Sequence, residues 1–174
     1  MSAINKIHNP LAQSLIDYFQ SIGPEMMQEN HPAVSLSRQQ AFDYFQKIGL
    51  PTHKDEKWRN TRLDKQYTAH YTFDTKAAEY DKSVSEIFLC EIHGFDARVL
   101  SILNGWYYSP DNSKLQTDEN GVVSGSMFAA QKAFPDLFDK HFGQVVQLDK
   151  SGFVAINSAL FRDGLFIYVP KNVE

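Results

Sequence analysis

The chain has a single cysteine, Cys90, among 174 residues, which excludes an internal disulfide framework and fits a reducing compartment. No segment approaches the roughly 18 apolar residues that a membrane-spanning helix needs. The opening, MSAINKIHNPLAQSL, lacks the basic start and unbroken apolar run of a signal peptide. There is no basic excess: 17 Lys and Arg stand against 21 Asp and Glu, a net charge of −4, which argues against a general nucleic-acid binder. Neither an internal repeat nor a low-complexity tract occurs, and no G-x-S-x-G elbow or phosphate-binding glycine loop is present. The expectation from these absences is a soluble, cytoplasmic protein that engages neither membrane nor nucleic acid.

What the chain does have is core-forming material. Hydrophobic residues make up 43%, with 13 Phe, 8 Tyr and 2 Trp, so it is not a disordered chain. Its organising stretch is Gly49 to Asp64, GLPTHKDEKWRNTRLD. Gly49 falls just past a helical pattern, where positive φ closes a helix and lets Leu50 fold back onto Phe45. Pro51 forbids continuation. Thr52 then caps a new short helix, with Asp55 completing a capping box. Trp58, set among Lys54, Asp55, Glu56, Lys57, Arg59 and Arg62, predicts a surface element pinned by one apolar ring. Lys54, Lys57, Arg59, Arg62 and Lys65 outnumber Asp55, Glu56 and Asp64, which reads as a solvated face.

Upstream, Asn9-Pro10 opens a helix whose stripe of Leu11, Leu15, Ile16, Phe19 and Ile22 runs to a break at Gly23-Pro24. Met26 and Met27 can extend that stripe. His31-Pro32 reads as loop, and Ser37 with Gln40 as the capping box of a second helix buried through Phe42, Phe45 and Ile48. Two such stripes predict an antiparallel helical hairpin. Downstream, Tyr67, Tyr71 and Phe73 suit an extended segment, and Asp74 to Ser85 a loop. Ile87 to Ile92 reads as a strand, and Asn104-Gly105 as the turn of a hairpin between Ala97–Leu103 and Trp106–Ser109, giving a sheet of about three strands. Asn120-Gly121 is a further turn. Ser126 caps a helix through Phe134, Pro135 restarts it toward Gly143, and Phe153 to Leu160 forms another helix. Leu165 to Val169 reads as a terminal strand with few partners upstream, so the chain is expected to be cut within a longer fold.

Chemistry is sparse. Cys90 and His93 are three apart, point to opposite faces of a strand, and have no second ligand pair, so Cys90 reads as core. His8, His31, His53, His70 and His141 are scattered, Asp17 and Asp43 solvate helix faces, and Asp163 before Gly164 reads as a turn residue. The chain is expected to be non-catalytic, with no catalytic, cofactor-binding or metal-ligating residue. The competing reading is a small α+β hydrolase or metal-dependent enzyme, which requires clustered His, Asp or Cys in a pocket.

Two stretches carry a resemblance. Leu50-Pro51-Thr52, Lys54, Glu56, Trp58 and Thr61 resemble the LPT-x-K-x-E-x-W-x-x-T wording of the SufB/SufD family of the SUF iron–sulfur cluster assembly system. Ala155, Asn157, Ala159, Phe161, Asp163-Gly164, Ile167, Val169 and Pro170 are similar to its ALN-x-A-F-x-DG-x-x-I-x-VP stretch, with Ile156 in place of the usual Leu. SufB-type chains usually read E-P-E-W in the earlier region, so Leu50-Pro51-Thr52 resembles the SufD branch; the hairpin Val99 to Tyr108 is similar to its V-N-G-x-Y segment.

The resemblance implies an α+β chain with an N-terminal helical hairpin, a small antiparallel sheet with further helices, and an end at the first strand of a right-handed parallel β-helix. It divides the chain into a helical region (1–73), a linker or loop (74–86), a small α+β region (87–150) and the start of the β-helix core (151–174). It further implies an N-terminal fragment of a scaffold subunit with SufB-like and SufC-like partners. Iron–sulfur clusters are then handled by the intact complex, with no cofactor in this fragment. Pro51, Thr52, Lys54, Glu56, Trp58, Asn157, Phe161, Asp163 and Gly164 become structural or interaction residues.

Overall fold

Both long helices begin where a proline follows a residue able to cap. Asn9 Oδ1 accepts the Ala12 N–H at 2.9 Å, and α1 runs Pro10–Glu29. His31 Nδ1 accepts the Ala33 N–H at 3.3 Å, and α2 runs Pro32–Ile48. A proline at the first helical position lacks only an N–H that has no partner there anyway. The second helix thus starts at Pro32, ahead of Ser37, and His31 is its cap rather than part of a loop. The break expected at Gly23-Pro24 does not occur either. A side chain at Gly23 would meet the Phe19 ring at 3.1 Å, so glycine lets that ring lie flat against the helix. Burying Met26 one turn later, at 1% exposure, offsets the hydrogen bond that Pro24 cannot donate.

The structure, a computed structural model, describes residues 9–77 and 99–173. It is mixed helix and strand, and it divides into two compact units that are each discontinuous in sequence. One comprises Met1–Phe73 with Pro135–Phe161, the other Asp74–Phe134 with Arg162–Glu174. The expected strand Ile87 to Ile92, with Cys90 and His93, lies outside the described residues, as does His8.

The first unit is helical. Phe19 of α1 stacks on Phe42 of α2, with centroids 3.8 Å apart. A short helix α3 (Asp64–Thr68) contributes Tyr67, which is buried rather than extended, because its phenol donates to the Pro51 carbonyl oxygen. Helices α5 (Pro135–His141) and α6 (Gly152–Leu160) complete it. Ser151 caps α6 by accepting the Val154 N–H at 3.2 Å. Ala155, Ile156 and Ala159 of α6 join Phe19, Phe42, Phe45 and Leu50 in one core. The approach is close: a Cβ on Gly152 would lie 1.8 Å from the Gly49 carbonyl oxygen. Gly49 itself has φ 64 and donates its N–H to Phe45 O at 2.8 Å, the helix closure expected there.

The second unit holds the strands. β1 (Ser101–Leu103) and β2 (Trp106–Tyr108) pair antiparallel around Asn104 and Gly105, both at positive φ. β3 (Leu115–Thr117) and β4 (Val123–Ser126) flank the Asn120-Gly121 turn, where Asp118 Oδ1 accepts the N–H of Asn120 and of Val122 at 2.9 Å each. α4 (Met127–Ala133) follows, capped by Ser126 as expected, and ends before Pro135. β5 (Leu165–Tyr168) forms where the terminal strand is expected, but it does have an upstream partner. It pairs antiparallel with β4 from Ser126↔Leu165 to Val123↔Tyr168, giving the order β3-β4-β5. The strands thus form a two-stranded and a three-stranded sheet among the described residues. No helix among them is long and apolar enough to cross a membrane.

Replacing Gly152 by alanine is expected to destabilise the protein by at least about 2 kcal/mol in urea unfolding, because backbone must move to admit the new carbon. Asn157→Ala, at an exposed position of the same helix, should stay within about 0.5 kcal/mol of the parent.

Candidate functional site

The loop after α2 is built by side chains that satisfy their own backbone. The Asp55 carboxylate accepts the Thr52 N–H at 2.7 Å, and Thr52 Oγ1 accepts the Lys54 N–H at 3.3 Å. Asp55 N–H in turn donates to Thr52 O at 2.9 Å. These local bonds compete with helix propagation, so only a single 3₁₀ turn, Glu56–Trp58, follows where a capped helix is expected. Pro51 and Thr52 are buried, Lys54 and Glu56 exposed, and Trp58 is half-buried with its ring 5.1 Å from Phe153. Glu56 pairs with Arg59 at 3.1 Å on the surface, where such a pair contributes little.

This loop borders the candidate site, an open cleft of about 310 Å³. Tyr44, Ile48, Pro51 and Trp58 give it an apolar face; Lys57, Asp149 and Lys150 are among the charged residues at its edge. Gly49 and Gly152 also line it, so the contact that joins the loop to α6 forms part of its wall. Beneath the loop, burial pushes the Tyr67 phenol up to about 12, and the nearby Asp55 and Asp64 carboxylates act in the same direction.

The second cluster is the Asp163 carboxylate, in the other unit. Oδ1 accepts the N–H groups of Phe128 (2.9 Å) and Gly164 (2.8 Å), and Oδ2 that of Tyr107 (3.2 Å). Ser126 Oγ donates to it at 2.9 Å while accepting the Ala129 N–H at 3.1 Å. With Gly164 O accepting the Met127 N–H at 2.9 Å, the first N–H groups of α4 are all engaged. Asp163 is therefore more than a turn residue: one carboxylate ties β2, β4, α4 and the start of β5 together. Gly164 packs against the Met127 side chain, whose Cε would lie 3.0 Å from an added Cβ and can swing aside.

The remaining signature residues divide between these settings. Asn157 is exposed on α6 and its carbonyl accepts the Phe161 N–H at 3.0 Å. Phe161 lies under the Arg38 guanidinium, 4.3 Å from carbon to ring centroid. Arg38, which the sequence pattern did not single out, is fully buried and donates to Ala159 O at the end of α6, where a cation meets the negative pole of the helix. Its one signal was a charge falling between Val34 and Phe42 on a buried helix face. The described histidines do not converge: His31 caps α2, while His53, His70 and His141 are exposed. Among the described residues no group of three or more His, Cys, Asp or Glu is placed to hold a metal ion.

A family profile described as the SufBD protein N-terminal region matches residues 9–174. The chain is 44% identical over 57 residues to the chloroplastic iron–sulfur cluster assembly SufBD family protein ABCI8 of Arabidopsis thaliana, covering 33% of this chain and 10% of that one. It is 43% identical over 56 residues to a SufBD family protein of Synechocystis, covering 32% of this chain and 12% of that one. With a Staphylococcus aureus SufBD family protein it shares 36% over 63 residues, or 36% of this chain and 14% of that one. Each match thus spans at most 14% of the relative's length. No solved structure matches the chain.

Two outcomes follow from this geometry. The folded chain holds the Tyr67 proton more tightly than the unfolded one, so that contribution is complete below pH 10 and is lost as pH rises toward 12. Urea midpoints should fall across that window, and Tyr67→Phe should flatten the fall while losing about 1 kcal/mol at neutral pH. Asp163→Ala leaves several donors without their acceptor and is expected to cost about 3 kcal/mol, read by thermal unfolding.

Proposed function

The chain belongs to the family of SufBD protein N-terminal regions, and from that premise we propose that it is the N-terminal part of a SufD-like scaffold subunit. It takes part in iron–sulfur cluster assembly with SufB-type and SufC-type subunits, and acts as a non-catalytic capping and interaction domain. The observation that carries this reading is the family match, which spans residues 9–174 and takes in both signatures. The SufD assignment over SufB rests on Leu50-Pro51-Thr52. The cluster is cargo of the whole assembly, and this chain supplies contacts rather than ligands.

Two features support an interaction role. The signature side chains of Lys54 and Asn157 are exposed, where a partner can reach them. Ile167 (59% exposed) and Val169 (51%) present apolar surface at and just after β5. In the longer protein β5 leads into a parallel β-helix, whose first rung needs a cover for its backbone groups and apolar side chains.

The chain is expected to be retained by an immobilised SufB-type subunit, with or without the SufC-type ATPase. Anaerobic incubation with iron and sulfide should leave the chain alone without a cluster absorbance. Failure of retention would sink the partner assignment, and stoichiometric iron on the isolated chain would sink the non-catalytic reading.

A further inference from the structure

We propose that the outer edge of β5 pairs with the same edge of a second copy of this chain, antiparallel and centred on Ile167. β5 is the last strand in the order β3-β4-β5, so one of its edges has no neighbouring strand among the described residues. The ladder settles which backbone groups lie there. Ser126 donates its N–H to Lys114 O on the β3 side, and Met127 donates its own to Gly164 O on the β5 side. With Gly125 opposite Phe166 and Val123 opposite Tyr168, the alternation of an antiparallel pair turns Phe166 and Tyr168 toward β4. The N–H and C=O groups of Leu165, Ile167 and Val169 therefore point away from the sheet. No hydrogen bond engages them among the described residues, and the side chains of Ile167 and Val169 are exposed.

An edge of this kind recruits another strand, and the sequence selects its own copy. In the register centred on Ile167, that residue faces itself, Leu165 faces Val169 of the second copy, and Phe166 faces its Tyr168. Every cross-strand pair is then apolar, and the aromatic partners meet at the closer, non-hydrogen-bonded positions. No charge lies between Leu165 and Val169, so two copies bring no like-charge repulsion into the ladder. Beyond it, the register sets the Lys171 end of one strand toward the Asp163 end of the other, opposite in sign. Pro170, which has no N–H, falls on the positions turned toward β4 and so removes nothing from the outer ladder. Phe166 and Tyr168 already stack on Phe134, with centroids 5.5 and 6.3 Å away, which holds the strand in place before it meets a partner. The opposite edge, β3, is shorter and carries Gln116 and Thr117 with Lys114 before them, so it offers no such match.

The contact is short, so the dimer is expected to be weak, below the roughly 1,600 Å² of a standard interface. Because a two-fold pair uses up both edges, association stops at two copies. The next strand of a longer protein would compete for the same edge, so the pairing is a property of the 174-residue chain. It goes beyond the role proposed above and does not rest on it. The test is sedimentation velocity on that chain, in a concentration series reaching about 1 mM. A monomer–dimer equilibrium is expected. Ile167→Lys and Ile167→Glu, at an exposed position and checked for fold by circular dichroism, should each weaken it at least about tenfold, because each sets like charges face to face. Mixed together, the two variants should associate again as a heterodimer, as expected where position 167 faces itself. Amide exchange followed by NMR should slow at Leu165, Ile167 and Val169 as concentration rises, and stay unchanged at Phe166 and Tyr168. A monomer throughout the series, growth beyond the dimer, indifference to either charge, or no recovery in the mixture would overturn the proposal. So would a dimer whose formation leaves exchange at Ile167 unaltered.

Discussion

A backbone-to-backbone contact underlies the helical unit: the start of α6 lies so close to the end of α2 that only hydrogen atoms fit at Gly152. This contact brings residues about a hundred positions apart into one core, and Ala155 and Ala159 continue it along α6 at 0% exposure. Small residues on one helix let aromatic ones on its neighbours fill the remaining space, as close packing requires. Phe19, Phe42 and Phe45 do that here. The position of the loop from Pro51 to Trp58, and so the existence of the cleft, follows from where α6 begins.

The sheet-bearing unit depends on a different kind of interaction. One carboxylate, Asp163, gathers a hydroxyl and three backbone N–H groups drawn from separate elements. Charge-assisted bonds of this sort are stronger than neutral ones and fix direction as well as distance. They set the start of β5 against β4 and at the same time supply donors' partners at the opening of α4. The three strands involved are only three or four residues long, so the ladders alone offer little to define their register.

Much of the local chemistry was legible from the residues, although His31-Pro32 rather than Ser37 opens α2 and only one 3₁₀ turn follows Thr52; long-range geometry was not. Asn9 as a cap, the Asn104-Gly105 hairpin, Ser126 opening α4 and the closing glycine at 49 all depend on a few adjacent positions, and all form as expected. Pro24 misled because the burial that holds the helix together comes from other helices, not from its own neighbours. Tyr67 misled because its partner, Pro51 O, is a loop carbonyl that only the fold brings within reach. At the site, Trp58 could be seen as an anchor, but its ring partner Phe153 and the facing Lys150 come from distant sequence. Asp163 looked like a turn residue since a DG pair is explained locally, and its links to Tyr107, Ser126 and Phe128 are visible only in three dimensions.

The division of each unit between two stretches of chain has a consequence for the order in which the molecule can form. The α1–α2 hairpin is synthesised early, yet the helix that covers Phe42 and Phe45 arrives only with residues 152–160. The intervening segment, on the order of a hundred residues, must emerge first, at roughly 5–20 residues per second. For several seconds the nascent hairpin therefore presents an apolar face to the ribosome surface and its chaperones, and late closure of such distant contacts is slow. A protein wired this way makes its first helices long before it can cover them.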